Sequence, residues 1–146
     1  MLRFATLPLQ SGGHATTLHA VLDGLPENKL LWRILHFVGV GEAPAGLTMP
    51  AFEQAIRASA DGYRMTWTEL RTFAIKVEQV WDCLIVGSSV HVSIQRDTIE
   101  AAGYPGCDYV IDIFDSTELR VGAMSESDLA RIRDVALGEA AAISRR

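Results

Sequence analysis

The sequence predicts an α+β fold, a mostly antiparallel sheet with about three helices packed on it. Three observations carry this. Two segments with helix-start signals and apolar stripes follow one another in the first half. A block of continuous or alternating apolar runs fills the second half, and a capped helix closes the chain. Helices gathered apart from strands, not alternating with them, set this chain aside from βαβ folds. Its 146 residues suit one domain spanning 1–146, with residues 1–14 and 144–146 expected to be flexible ends. A composition of 49% hydrophobic and 21% charged residues supports a core without covalent staples.

Taken in order, the first dozen residues end at a flexible break, Ser11-Gly12-Gly13. Residues 16–22 fit either a short helix or a strand, and Asp23-Gly24 ends either one. After a turn at Leu25-Pro26-Glu27-Asn28, the run LLWRILHFVGV (30–40) is apolar on both faces. Its aromatic and β-branched content, with Gly39 and Gly41 at its end, predicts a long central strand. Residues 42–47 read as a loop. Thr48 and Pro50 open a helix whose stripe is Phe52, Ala55, Ile56 and Ala60, and Asp61-Gly62 stops it.

Thr66 and Glu69 form a capping box at the head of a second helix. Its stripe runs Trp67, Leu70, Phe73, Ala74, Val77 and on to Val80 or Trp81. Cys83-Leu84-Ile85-Val86 is a short buried strand. Val90, Val92 and Ile94 alternate with polar residues and predict another. Residues 97–102 read as a loop or a single helical turn, and Tyr104-Pro105-Gly106 as a turn. Tyr109, Ile111 and Ile113 predict a strand that Ser116-Thr117 turns into a second one over residues 119–122. Ser125 caps the last helix, whose inward residues are Leu129, Ile132, Ala136 and Ala140.

The formal net charge of −5 argues against nucleic acid as a partner, because phosphate binding calls for a basic stripe. Two cysteines without a Cys-x-x-Cys pair exclude a disulfide framework and a zinc knuckle. No secretory-length apolar run and no membrane-spanning stretch are seen, so a cytoplasmic location is expected and no membrane partner. Gly39-Val40-Gly41 lacks the third glycine and the Lys-Ser/Thr pair of a phosphate loop. The histidines, His14, His19, His36 and His91, show no metal-ligand spacing, and no metal or cofactor is implied. Cys83, His91 and Asp112 could be assembled into a nucleophilic triad only by coincidence of the fold.

What remains is acidic: Asp108, Asp112, Asp115 and Glu118. Asp108 and Asp112 share a strand face with Val110 and Phe114, while Asp115 and Glu118 flank the turn. Carboxylates mixed with apolar side chains suit a basic, partly apolar protein surface.

Two stretches carry a family resemblance. Met65-Thr66-Trp67-Thr68-Glu69-Leu70 opens a helix leading to Val80-Trp81-Asp82-Cys83-Leu84-Ile85-Val86-Gly87, and Asp112-Ile113-Phe114-Asp115-Ser116-Thr117-Glu118-Leu119-Arg120-Val121 follows later. Together they resemble small bacterial immunity-type proteins of polymorphic toxin systems over about half the chain. The pattern departs at Glu118-Leu119, where an aromatic residue is expected. The resemblance implies a non-catalytic protein-binding module that blocks a toxin, and the acidic balance of the chain points to a basic one. The alternative is a small enzyme or ligand-binding domain with a pocket between the second helix and the sheet, lined by Trp32, Trp67 and Trp81. A homodimer is compatible with either.

Overall fold

The structure, a computed structural model, describes residues 1–8, 10–11, 14–15, 17–115 and 118–144. The elements run β1 (Arg3–Pro8), β2 (Gln10–Ser11), β3 (His14–Ala15), α1 (Leu18–Asp23), β4 (Leu31–Gly41), a 3-10 turn (Pro44–Gly46) and α2 (Met49–Arg57). There follow β5 (Tyr63–Met65), α3 (Trp67–Lys76), β6 (Val77–Ser88), β7 (Cys107–Phe114), β8 (Glu118–Ala123) and α4 (Glu126–Ser144). Six strands form one open sheet in the order β1-β8-β7-β6-β4-β5, and every pairing is antiparallel. β2 and β3 make a separate two-stranded ribbon. The fold is α+β, as the segregation of helices and strands predicts.

Local signals set the helix starts. The Thr48 hydroxyl accepts the Ala51 N–H at α2, and Thr66 with Glu69 completes both halves of the capping box at α3. Ser125 Oγ accepts the Asp128 N–H at 3.2 Å ahead of α4. Within the stretch open to two readings, Leu18 begins α1 because Thr17 caps it by accepting the Ala20 N–H at 3.0 Å, while residue 16 lies outside the described residues.

All four helices supply the main core on one face of the sheet: Leu18 and Leu22, Phe52 and Ile56, Trp67 and Phe73, Leu129 and Ile132. They meet Ile34, Phe37, Ile85, Ile111, Ile113 and Val121 from the strands. Phe37, Phe52 and Phe73 cluster with ring centroids 5.2–5.9 Å apart. The Trp32 ring lies across the backbone of Gly87, where a Cβ would stand 2.8 Å from it, and stacks on Tyr109 one strand further at 6.0 Å. The opposite face carries a smaller core of Leu35, Val86 and Val110, covered by Ile94, Ile99 and Tyr104 from residues 89–106.

Three expectations change. The second helix stops at Lys76, not at Val80 or Trp81: Val77, Gln79 and Val80 pair with Gly41, Val40 and Gly39, so residues 77–88 are one long strand. Residues 90–94 are not a strand. They find no pairing partner, and Ile94 alone of the three apolar residues is fully buried while Val90 is exposed. Arg3–Pro8, within the expected flexible lead-in, pairs with β8 over its whole length. The Ser116-Thr117 step, Gly12, Gly13, the last two arginines and the Ala140 side chain lie outside the described residues. No helix among the described residues is long and apolar enough to cross a membrane.

Candidate partner-binding face

The outer sheet face, opposite the helices, divides into rows of directly paired residues. One row is Arg64, Arg33, Val86, Val110, Gly122 and Phe4, read across all six strands. Residues 89–106 cover its centre. Arg33 is buried there, donating to Ser88 Oγ at 3.0 Å and to the Val92 carbonyl at 3.1 Å. Val110 is fully buried in this layer, so it is unavailable to the docking face that its alternation with Phe114 predicts.

The next row is His36, Leu84, Asp112, Arg120 and Thr6, across five strands. Beyond it lie Val38 beside Asp82, and Phe114 beside Glu118. Here the covering segment is absent: His36 and Glu118 are exposed, and Phe114 is 67% exposed. Asp82 accepts the backbone N–H of Asp115 at 2.9 Å, tying the β7–β8 turn to β6. Asp115 itself adopts a left-handed backbone with φ 53°.

Of the four predicted residues, the structure therefore gathers Asp112, Asp115 and Glu118 at one end of β7. Asp108 lies four residues up the same strand, about 13 Å away at strand rise, on the far side of the covered row. It is not part of the cluster. Asp82, Glu100 and Arg120 are the members the sequence concealed. Asp82 was hidden because Val77, Val80 and Trp81 continue a helical spacing, which takes residue 82 out of any strand register.

Asp112 is half-buried and meets Arg120 at 3.5 Å. Burial pushes its carboxyl above the ordinary range, Arg120 opposes the rise, and Glu100, Glu118 and Asp82 add to it. The Arg120 guanidinium also lies over the Phe4 ring, 4.6 Å from its centroid, and Phe4 in turn packs on Tyr104 at 5.9 Å.

Elsewhere the expected chemistry does not assemble. Trp32 and Trp67 pack on one another at 5.4 Å inside the filled core, and Trp81 stands partly exposed on β6, so the pocket foreseen between the second helix and the sheet is occupied by side chains. Cys83 faces the helices while Asp112 faces away from them, which separates the proposed triad by the thickness of the sheet. Both cysteines are free thiols, and burial pushes Cys107 up to about 11. A cleft of about 270 Å³ lies between residues 42–46 and α3, lined by Glu42, Pro44, Glu69, Thr72, Phe73 and Lys76. Its Glu42 and Lys76 side chains are solvent-exposed and 3.9 Å apart. Among the described residues no group of three or more His, Cys, Asp or Glu side chains is placed to hold a metal ion.

Comparison with known proteins finds no matching family model, no matching curated protein and no matching solved structure.

Proposed function

We propose that this chain is a non-catalytic protein-binding module, an immunity-type neutraliser of a basic protein toxin, which it engages through the open part of its outer sheet face. One observation carries the reading: Phe114, two-thirds exposed, projects from a sheet surface that also bears Asp82, Asp112 and Glu118. An aromatic side chain ringed by charge is the composition of an interface anchor with a polar rim. The region gathers five carboxylates, Asp82, Glu100, Asp112, Asp115 and Glu118, and one guanidinium, Arg120, which pairs with Asp112. That balance repels phosphate and favours a cationic protein surface.

The test is co-expression with the product of the gene immediately upstream, followed by co-purification. A stoichiometric complex is expected, relieving toxicity in the host and associating more slowly as salt is added. Phe114→Ala and Glu118→Lys should each weaken it while leaving the monomer folded. No complex and no toxicity would remove the neutraliser reading. Light scattering on the isolated chain separates that outcome from a homodimer closing on the same face.

A further inference from the structure

We propose that residues 78–81, the part of β6 that β7 leaves unpaired, take up an extended segment of the protein partner as an added strand, and that this segment carries Lys or Arg between apolar residues. The proposal rests on the protein-binding reading above and names how the partner is held.

The first observation is an open main chain. β7 pairs with β6 only from Cys83 to Ser88, whereas β4 follows β6 down to Val77 on its other side. β7 ends because Asp115 takes a left-handed backbone, and the Asp82 carboxylate, not a β6 backbone group, receives the Asp115 N–H at 2.9 Å. The Val77 N–H closes the last turn of α3 on the Phe73 carbonyl. From Glu78 to Trp81, β4 is then the one main-chain partner among the described residues. No layer covers this edge: Glu78, Gln79 and Trp81 are exposed and Val80 is half-buried. Unpaired N–H and C=O groups along a strand are a template for another chain. The edge of β1 is less suited, because that strand ends at Pro8, which has no N–H to give.

The second observation is the side chains around the edge. Trp81 is 40% exposed, and Ile75, just before the strand, is 63% exposed. Phe114 is exposed where β7 stops. These are apolar anchors beside a main-chain template, the combination that strand addition uses for specificity.

Charge and shape choose the occupant. The charged residues of 77–82 are Glu78 and Asp82, with no Lys or Arg among them, and Asp115 and Glu118 stand at the β7–β8 turn. A second copy would bring the same carboxylates to the shared edge, whereas Lys or Arg on the incoming strand neutralises them. Glu78 and Trp81 are also the extra residues of two bulges, opposite no residue of β4. Bulges twist a strand and spoil flat pairing with the rigid edge of another sheet. A segment free of its own sheet follows the twist.

The experiment uses the isolated chain and, as probe, the N-acetylated, C-amidated hexapeptide Val-Lys-Val-Lys-Val-Lys. NMR should show saturable amide shifts at residues 78–81, with exchange of their amides slowed. The same peptide methylated at every backbone nitrogen keeps its charges and loses its donors, and its dissociation constant should rise at least ten-fold. Glu78→Lys should raise the constant for the unmethylated peptide about five-fold, with the amide shifts of α1 and α4 unchanged. Equal binding of the methylated peptide would reduce the effect to charge alone and overturn the proposal. So would shifts confined to Arg3–Pro8, or no saturable shift. Protection of residues 78–81 that grows with protein concentration, beside a dimer in light scattering, would give the edge to a second copy and equally overturn it. No partner protein enters this measurement. A failed peptide titration beside a successful co-purification sinks the strand-addition site alone, whereas a failed co-purification sinks the neutraliser reading.

Discussion

Asp112 stands at the border between the covered and the open parts of the outer face, and its protonation reports that position. Its folded-state pKa lies above the unfolded value of about 3.9, because burial and three neighbouring carboxylates outweigh Arg120. In the window between the two values the native state holds the proton more firmly than the unfolded chain. Stability contributed by this residue therefore falls as pH rises through that window, and at neutral pH its ionised form opposes folding. Asp112→Asn is expected to be at least as stable as the parent at pH 7, with the difference vanishing near pH ~3, where both states are protonated. Urea midpoints at the two pH values check this. A variant clearly less stable than the parent at pH 7 would show that the Arg120 contact dominates instead. Arg33 shows the same physics from the other sign. Burial, and then the like charge of Arg64, lower its pKa, and its terminal N–H groups donate to the neutral oxygens of Ser88 and Val92. In the sequence Arg33 merely interrupts an apolar run. Its role in tying residues 89–106 to β4 depends on Ser88 and Val92, 55 and 59 residues away, which no local pattern reveals.

At the scale of elements, what could be read from the sequence was what short-range chemistry decides. The capping box of α3 and the hydroxyl caps of α2 and α4 need only three or four neighbouring residues, and the alternation of Tyr109, Ile111 and Ile113 shows one buried strand face. The end of α3 was not legible, because Val77 and Val80 fit a helical stripe as well as a strand, and only the presence of β4 decides between them. Residues 90–94 mislead for the converse reason. Alternation suggests a strand, but the segment pairs with none of the six strands and packs Ile94 onto the sheet's face instead. Phe4 and Thr6 alternating with Ala5 and Leu7 was the signal for β1, weakened by Pro8 and by the glycines after it.

The same β4–β6 pairing yields a prediction. Gly39 allows the start of β6 to approach: a Cβ there would stand 2.5 Å from the Gln79 carbonyl oxygen and 2.9 Å from the Phe37 ring. Gly39→Ala should separate residues 77–80 from β4, costing about 1–3 kcal/mol. Amide exchange should accelerate at Val77, Gln79 and Val80 while β7 and β8 keep their protection. Unchanged exchange at those three amides would mean that the strand tolerates the methyl and that the boundary at Lys76 has another origin.

For the whole molecule, the division that matters is between two cores of unequal size on opposite faces of one sheet. The main core takes in all four helices. The smaller one depends on Ile94, Ile99 and Tyr104 from a segment held by turns, by Arg33 on the Val92 carbonyl, and by Arg96 on the Ile56 carbonyl at 2.7 Å. Segments with few buried apolar contacts open at lower free energy than the global transition. Residues 89–106 should therefore open as a unit while the sheet and helices remain folded. Ile99→Ala removes a fully buried side chain from the small core alone, at a cost of about 2–5 kcal/mol. Exchange of the amides bonded within the segment, Ile99 to Gln95, Ala102 to Thr98 and Tyr104 to Ile99, should then accelerate at least ten-fold, since ~1.4 kcal/mol already accounts for that factor. The amides of α1 and α4 should be unaffected. Equal acceleration in α1 and α4 would show that the cap and the sheet unfold together, making Tyr104 a fixed part of the outer face; selective acceleration would make its position beside Arg120 and Asp112 subject to local opening.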